Sequence, residues 1–258
     1  MSLQCADQTT SPAVVVSIVS HGHGAMVQRL VEQLAQSSAQ HIARVVVTHN
    51  IPEPALTEPS QAWPFVVERV LNPKPLGFGE NHNNALRGAK EPLVCVLNPD
   101  VELIAGQEPF AALIAAACEK SVGCAYPTQV DEHGTVQDSE RELPSPWALW
   151  KRRALHQPQR YVDWVNAAFI VVPAAMWHAV GGFDTRYFMY CEDVDLSLRL
   201  QLQGGVLRRA GARVIHRGER ASSKQWQHLR WHVQSLLRLW TSRAFWQYCR
   251  RGVPRHPL

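Results

Sequence analysis

Three short runs of apolar, largely β-branched residues constrain this chain most: Ala13–Ser20 (AVVVSIVS), Arg44–Thr48 (RVVVT) and Leu93–Leu97 (LVCVL). A half-exposed strand alternates apolar with polar residues, whereas a strand covered on both faces is continuously apolar. These runs are continuous, so they predict buried, parallel-type strands. Leu30, Val31 and Leu34 recur at helical spacing after the first run. Phe65–Leu71 reads as a third buried strand, Gly77–Gly79 as a tight loop, Asn81–Ala89 and Pro109–Lys120 as helices, and Val122–Tyr126 as another strand. Strands alternating with helices predict an α/β fold around a mostly parallel sheet.

The second half is less regular. Asp131–Gly134 reads as a hairpin turn, and residues 138–160 as a long polar connection of the kind that carries function. Tyr161–Val172 predicts a strand and Pro173 opens a helix, which Gly181 and Gly182 end. Val194–Gln203 predicts a helix preceded by Glu192 and Asp193, and Gly205–Ile215 one or two strands. Trp226, Leu229, Val233, Leu236, Leu237 and Trp240 mark one face of an amphipathic helix.

Composition supplies the exclusions. With 258 residues, 46% hydrophobic and 19% charged, the chain is neither disordered nor too small for a core. Its best apolar run, Pro109–Cys118, is about half the ~20 residues of a membrane-spanning helix. Residues 1–12 are expected to be a flexible N-terminus without the features of a secretory signal. The six cysteines form no CxxC pair, which favours reduced thiols over a zinc site or a disulfide framework. From Arg220 to Leu258 there are eight Arg or Lys, no Asp or Glu, and four of the nine tryptophans, which suggests an anionic surface as partner.

In parallel α/β sheets, ligands bind beyond the carboxyl ends of the strands. Three strand ends carry polar groups: Ser20-His21, Thr48-His49-Asn50 and Asn98-Pro99-Asp100. Asp100 either caps the next turn or offers a carboxylate to a divalent cation. Glu192, Asp193 and Asp195 crowd three carboxylates into four positions. Asp195 faces Arg199 at helical spacing, which leaves Glu192 and Asp193 as candidate bases. His216 ends an apolar strand, where a histidine alone reads as structural. His82 stands out for its company, Gly77-Phe-Gly-Glu-Asn-His-Asn-Asn84. A dinucleotide oxidoreductase fits poorly: Gly22 and Gly24 follow the first strand, but Val27 stands where a third glycine belongs. A nucleic-acid binder fits no better, because the chain outside the tail is net acidic and carries no such motif.

Taken in order, VVVSIVSH, NPKPLGFGENHNNAL, VCVLNPD, VDWVNAAFIVVP, GGFDTRYFMYCEDVDLSLRL and VIHRG resemble the family 2 inverting glycosyltransferases, rhamnosyltransferase-like bacterial members above all. The resemblance runs from about Val14 to Ser223. It implies a single GT-A domain with a mixed central sheet over residues 13–221. The nucleotide-sugar half would cover about 13–100 and the acceptor half about 101–221. Residues 222–258 would add a basic, Trp-rich C-terminal helix and tail. The implied activity is transfer of a sugar, such as rhamnose, from a dTDP- or UDP-linked donor to a glycan or lipid-linked glycan in cell-surface polysaccharide biosynthesis. The alternative is an inactive relative that only binds a nucleotide-sugar or glycan.

By resemblance, Asp100 and His216 hold Mg²⁺ or Mn²⁺, Asp193 is the base, and Glu192 is its acidic neighbour. Ser20, Thr48, Asn50, Gly77, Phe78, Gly79, Asn81, Asn83, Asn84, Asn98 and Asp100 line the donor. Trp164 and Asn166 lie near the acceptor. Two positions depart from the family pattern: Asn98 replaces the first acid of the metal motif, and Thr48-His49-Asn50 lacks the acid expected after the second strand. The tail's Trp/Leu face either packs on the domain with its arginines in water, or Trp240, Phe245, Trp246, Arg250 and Arg251 rest on an anionic membrane, or both; a cytoplasmic protein, peripheral at most on the inner face of the membrane, is expected.

Overall fold

The first half of the chain forms β1 (Val14–Ser20), α1 (Gly24–Ser37), β2 (Ile42–His49), β3 (Val66–Leu71), α2 (Phe78–Ala85), β4 (Leu93–Leu97), β5 (Val101–Leu103) and α3 (Pro109–Ala117). Then follow β6 (Val122–Val130), β7 (Glu140–Arg141), α4 (Pro146–Leu155), β8 (Tyr161–Val162), β9 (Trp164–Val165), β10 (Phe169–Pro173) and α5 (Ala174–Val180). The chain continues through α6 (Glu192–Leu202), β11 (Val206–His216), α7 (Gln225–Thr241), α8 (Arg243–Arg251) and β12 (His256–Pro257). This computed structural model describes residues 13–60, 62–155, 159, 161–218, 225–252 and 256–257. The expectations for residues 1–12, and for 222–224 of the tail, lie outside the described residues.

Eight strands form one sheet in the order β3-β2-β1-β4-β10-β6-β11-β5. β3, β2, β1 and β4 are mutually parallel, β10 runs antiparallel to both β4 and β6, and β11 is parallel to β6. The sheet is therefore mixed, and β4 and β11 end at the same edge. β1 alternates as its pleat demands: Val14, Val16 and Ile18 join the core under α1 and α3, while Val15 joins the core under α2, α5 and α6. Both faces are covered, which explains the continuous apolar runs.

Several expectations are corrected. β3 is not buried: it is the edge strand, with Val66 and Leu71 exposed. The 138–160 connection contains the helix α4 and the short strand β7. Tyr161–Val172 is three strands rather than one. The loop at Gly77–Gly79 ends at Gly77, which caps α2, and that helix stops at Ala85. Glu192 and Asp193 do not precede α6 but open it. Cys95, Cys124 and Cys191 are buried free thiols, whereas Cys118 is disulfide-bonded, against the reduced thiols expected.

The C-terminal helices belong to the body of the fold. Leu239 of α7 and Ala244, Phe245 and Tyr248 of α8 share a core with Tyr187, Val194 and Leu198. The Tyr248 hydroxyl donates to buried Asp163 (2.9 Å), which also accepts from the Leu143 N–H (2.8 Å). His228, Trp231, Ser235 and Leu239 of α7 face the body, and Leu236 and Trp240 of its expected apolar face pack partly on the same core, whereas Trp226, Leu229, Val233 and Leu237 are exposed.

Two glycines set how closely the α2 turn approaches the 183–188 loop. A Cβ on Gly79 would lie 2.5 Å from the Phe183 Cβ, and one on Gly77 would lie 2.9 Å from the Phe188 carbonyl oxygen. Overpacking of this kind costs typically ~1–3 kcal/mol. Gly79→Ala is expected to lower stability by about that amount in urea unfolding, and an unchanged midpoint would show that the contact is looser than described.

Candidate active site

The topology itself brings Asp100 and His216 together. Asp100 lies just past the end of β4, and the chain then turns back as β5, which pairs antiparallel with β11 so that Val101 opposes His216. His216 ends β11, and its Nε2 lies 3.3 Å from Asp100 Oδ2. The ring is aimed from behind: Gln137 Oε1 lies 3.2 Å from Nδ1, and the Gln137 amide donates to the His216 carbonyl (2.7 Å). A carboxylate oxygen and an imidazole nitrogen converge here; the carboxylate suits Mg²⁺ or Mn²⁺, and the imidazole suits a transition ion better than Mg²⁺. Among the described residues no group of three His, Cys, Asp or Glu converges, so further ligands would come from donor phosphates and water. Asn98 stands in the same turn, its N–H bonded to the Ala168 carbonyl (2.7 Å).

The acidic pair opens α6, which leads through a short turn into β11. Tyr190 and Cys191, just before α6, have φ of +71° and +63°. Non-glycine residues rarely adopt this left-handed conformation unless their surroundings impose it. Here α7 does so: Tyr190 Oη lies 2.7 Å from His228 Nδ1, the Ser235 hydroxyl donates to the Met189 carbonyl (2.8 Å), and Phe188 packs on Trp231.

Glu192 is buried and Asp193 half-buried, so Asp193 is the reachable member of the pair. Glu192 Oε2 is buried without a hydrogen bond. Burial, and then the charge of Asp193, push the Glu192 carboxyl far above its usual range. Burial also raises Asp193, opposed by the Val194 N–H and the positive charge of Arg141. Both carboxyls are thus raised, Glu192 further than Asp193. Asp195 is ion-paired with Arg199 (2.6 Å), as its spacing predicted.

Most of the amides expected to line the donor are bonded within the fold. Asn50 Oδ1 accepts from the Leu76 N–H (2.8 Å) and from the Asn72 amide (2.9 Å), and its own amide donates to the Leu76 carbonyl (3.0 Å). Asn81 donates to the Gly77 carbonyl (3.0 Å) and accepts from Asn72 (2.6 Å). Asn83 bonds both ways with the Phe183 backbone (2.8 and 2.9 Å). These three shape the 72–77 loop and its seat. Asn84 is exposed at the end of α2, where it accepts from Arg87 (2.7 Å). Phe78 packs edge-on against His82 and Phe183. His82 is fully buried, lies 2.8 Å from the Ser17 hydroxyl and is held neutral by desolvation, its pKa lowered to about 3. Thr48 is buried at the end of β2, its hydroxyl without a hydrogen bond.

Glu53 was missed by sequence reading. It restores an acid to the strand ends: its carboxylate accepts from the Ser20 hydroxyl (2.8 Å) and pairs with His49 (3.1 Å). A groove of about 400 Å³ opens beside it, lined also by Gly22, Gly24 and Gln28. The available signal was an acid four residues beyond His49, just past β2. Of the residues expected near the acceptor, Asn166 exchanges amide bonds with Gln129 (2.6 and 3.0 Å), and the Trp164 indole donates to the Glu142 carbonyl (2.9 Å) beneath Arg141.

The raised Glu192 carboxyl has a consequence for stability. A carboxyl raised on folding contributes stability below its unfolded value, and that contribution is lost as pH rises through the folded value. Glu192→Gln removes the titration, so the variant is expected to melt above the wild type at mildly alkaline pH and level with it near about pH 4. Equal melting temperatures at alkaline pH would contradict the raised carboxyl.

No protein-family profile matches the chain. It is 28% identical over 250 residues to rhamnosyltransferase WbbL of Escherichia coli, spanning 87% of this chain and 91% of that one. It is 35% identical over 130 residues to the N-acetylglucosaminyl-diphospho-decaprenol L-rhamnosyltransferase of Mycobacterium tuberculosis, 43% of this chain and 42% of that one. The mannosyltransferase PcManGT from Pyrobaculum calidifontis, solved with GDP-Man and Mn²⁺, superposes with a TM-score of 0.60 at 15% identity, over 89% of this chain and 65% of that one. S. aureus TarS 1–349, solved with UDP-GlcNAc, gives 0.58 at 12% identity, over 93% and 72%. The structural likenesses carry the GT-A fold, and in sequence the chain is similar to rhamnosyltransferases.

Proposed function

We propose that this glycosyltransferase moves a deoxyhexose such as rhamnose from a nucleoside-diphosphate donor to a hydroxyl of a lipid-linked glycan, with inversion, during cell-surface polysaccharide biosynthesis. The observation that carries this reading is the Asp100–His216 contact where β4 and β11 end, together with the raised Glu192–Asp193 pair that opens α6. The names of its relatives support the sugar, and a neighbour solved with a nucleotide-sugar and Mn²⁺ supports the donor class and the ion.

Asp100 and His216 would hold Mg²⁺ or Mn²⁺, which when bound neutralises charge on a departing diphosphate. Asp193 accepts the proton of the attacking acceptor hydroxyl, a contribution of typically ~10²–10⁴-fold. Glu192, protonated beside it, adds no second negative charge to the pair, and Arg141 favours the ionised form of Asp193. Ser20 and Glu53 stand at the nucleotide end, and Asn98 beside Asp100. Trp164 and the paired Asn166 stand on the acceptor side, below the stacked face of Arg141.

Asp193→Asn is expected to lower turnover by ~10²–10⁴-fold while donor affinity, measured by calorimetry, stays within twofold (about 0.4 kcal/mol). Wild-type turnover in that variant would remove Asp193 as the base. It would also reopen the non-catalytic binding reading if the wild type proved equally inactive with every donor. Asp100→Ala and His216→Ala are each expected to abolish the gain in donor affinity that Mn²⁺ gives the wild type. A Mn²⁺ response that survives both substitutions would place the ion elsewhere.

A further inference from the structure

α7 is an amphipathic helix whose expected apolar face is only partly turned inward. Its inward stripe is polar enough to bond the 187–191 segment through His228 and Ser235, and its outward stripe carries Trp226, Leu229, Val233 and Leu237, which are 85%, 53%, 47% and 55% exposed. The patch continues sideways. The Trp240 indole donates to the Pro144 carbonyl (2.8 Å), which brings α7 against the start of α4, where Trp147 and Trp150 stack at 4.8 Å and are both more than half exposed. An exposed apolar stripe of this size is a contact surface rather than scatter.

We propose that this outward face of α7, with the Trp147–Trp150 pair of α4, docks the protein on an anionic lipid bilayer. Charge selects that occupant. Residues 225–252 contain Arg230, Arg238, Arg243, Arg250 and Arg251 and no acid, and Lys151-Arg152-Arg153 follow the α4 tryptophans. Arg230, Arg238, Arg243 and Arg250 are exposed and make no ion pair among the described residues. A second copy docked by the same face would set arginine against arginine. A flat anionic surface instead meets the arginines with opposite charge and takes tryptophan and leucine at the headgroup boundary. Among the described residues no helix is long and apolar enough to cross a membrane, so this face lies on the surface.

The surface differs from the one expected from sequence. Phe245 is buried and Trp240 half-buried with its N–H bonded, so neither is free to enter lipid, whereas Trp246 is exposed. A groove of about 560 Å³, lined by Arg186, Phe188, Trp231, Leu237 and Arg238, runs from the docked stripe to the segment that positions α6.

The test is co-sedimentation of the full chain with phosphatidylglycerol/phosphatidylcholine vesicles and with phosphatidylcholine vesicles, at about 0.05 M and about 0.5 M salt. The wild type is expected to bind the anionic vesicles at low salt and the neutral ones at least tenfold more weakly. The triple variant Trp226→Ser, Leu229→Ser, Val233→Ser is expected to lose anionic binding at least tenfold with an unchanged melting temperature. Full vesicle binding by the folded triple variant, or none by the wild type, would overturn the proposal. A wild-type dimer in light scattering that the triple variant converts to monomer would overturn it too, and would give the face to a second copy. Donor affinity of the triple variant, measured without vesicles, separates this outcome from failure of the glycosyltransferase reading.

Discussion

One backbone contact joins the two halves of the site. The Phe78 N–H at the start of α2 donates to the Phe188 carbonyl (3.0 Å), and the approach is open only because Gly77 and Gly79 have no side chains. On one side of that contact lies the 72–77 loop, knitted to the end of β2 by Asn50, Asn72 and Asn81. On the other lies the segment that carries Tyr190 and Cys191 into left-handed geometry and delivers Glu192 and Asp193 at the first turn of α6. The start of α2 and the segment that leads into α6, far apart in sequence, are thereby held against each other.

The C-terminal helices complete that arrangement rather than decorate it. α7 bonds the strained segment from outside, and α8 seals the same core through Phe245 and Tyr248. Two residues in disfavoured backbone conformations cost of order 1–3 kcal/mol each, so their surroundings must over-determine them. Packing α7 by its more polar stripe provides the hydrogen bonds that do so, and it leaves the apolar stripe facing out. The helix that bonds the segment before the acidic pair is therefore also the one whose apolar stripe faces out.

Much of the architecture was legible because physics writes it locally. Continuous apolar runs at Val14–Ser20 and Leu93–Leu97 imply cover on both faces, and both strands are central. Asp195 and Arg199 pair at the spacing that a helix dictates. The failures share a cause, which is that local pattern does not name the partner. Phe65–Leu71 has a buried strand's composition but sits at the sheet edge, because only topology decides which strand is last. Periodicity gave α7 an apolar stripe but could not say which stripe meets the body. Asn50, Asn81 and Asn83 have the right chemistry to bind a ligand, yet their amides are engaged by Leu76, Gly77 and Phe183. Glu53 went unnoticed because its value comes from Ser20 and His49. The Asp100–His216 meeting needed the antiparallel return of β5, which no spacing rule contains.

The central claim is that the strand-end pair Asp100–His216 and the Glu192–Asp193 pair belong to one donor-and-acceptor site. A crystal structure with dTDP and Mn²⁺, with anomalous data at the manganese edge, tests it most directly. The account predicts a manganese peak between Asp100 and His216, a diphosphate beside it, and the open side of that site facing Asp193. Manganese or nucleotide bound away from these residues, with the strand ends bare, would contradict it.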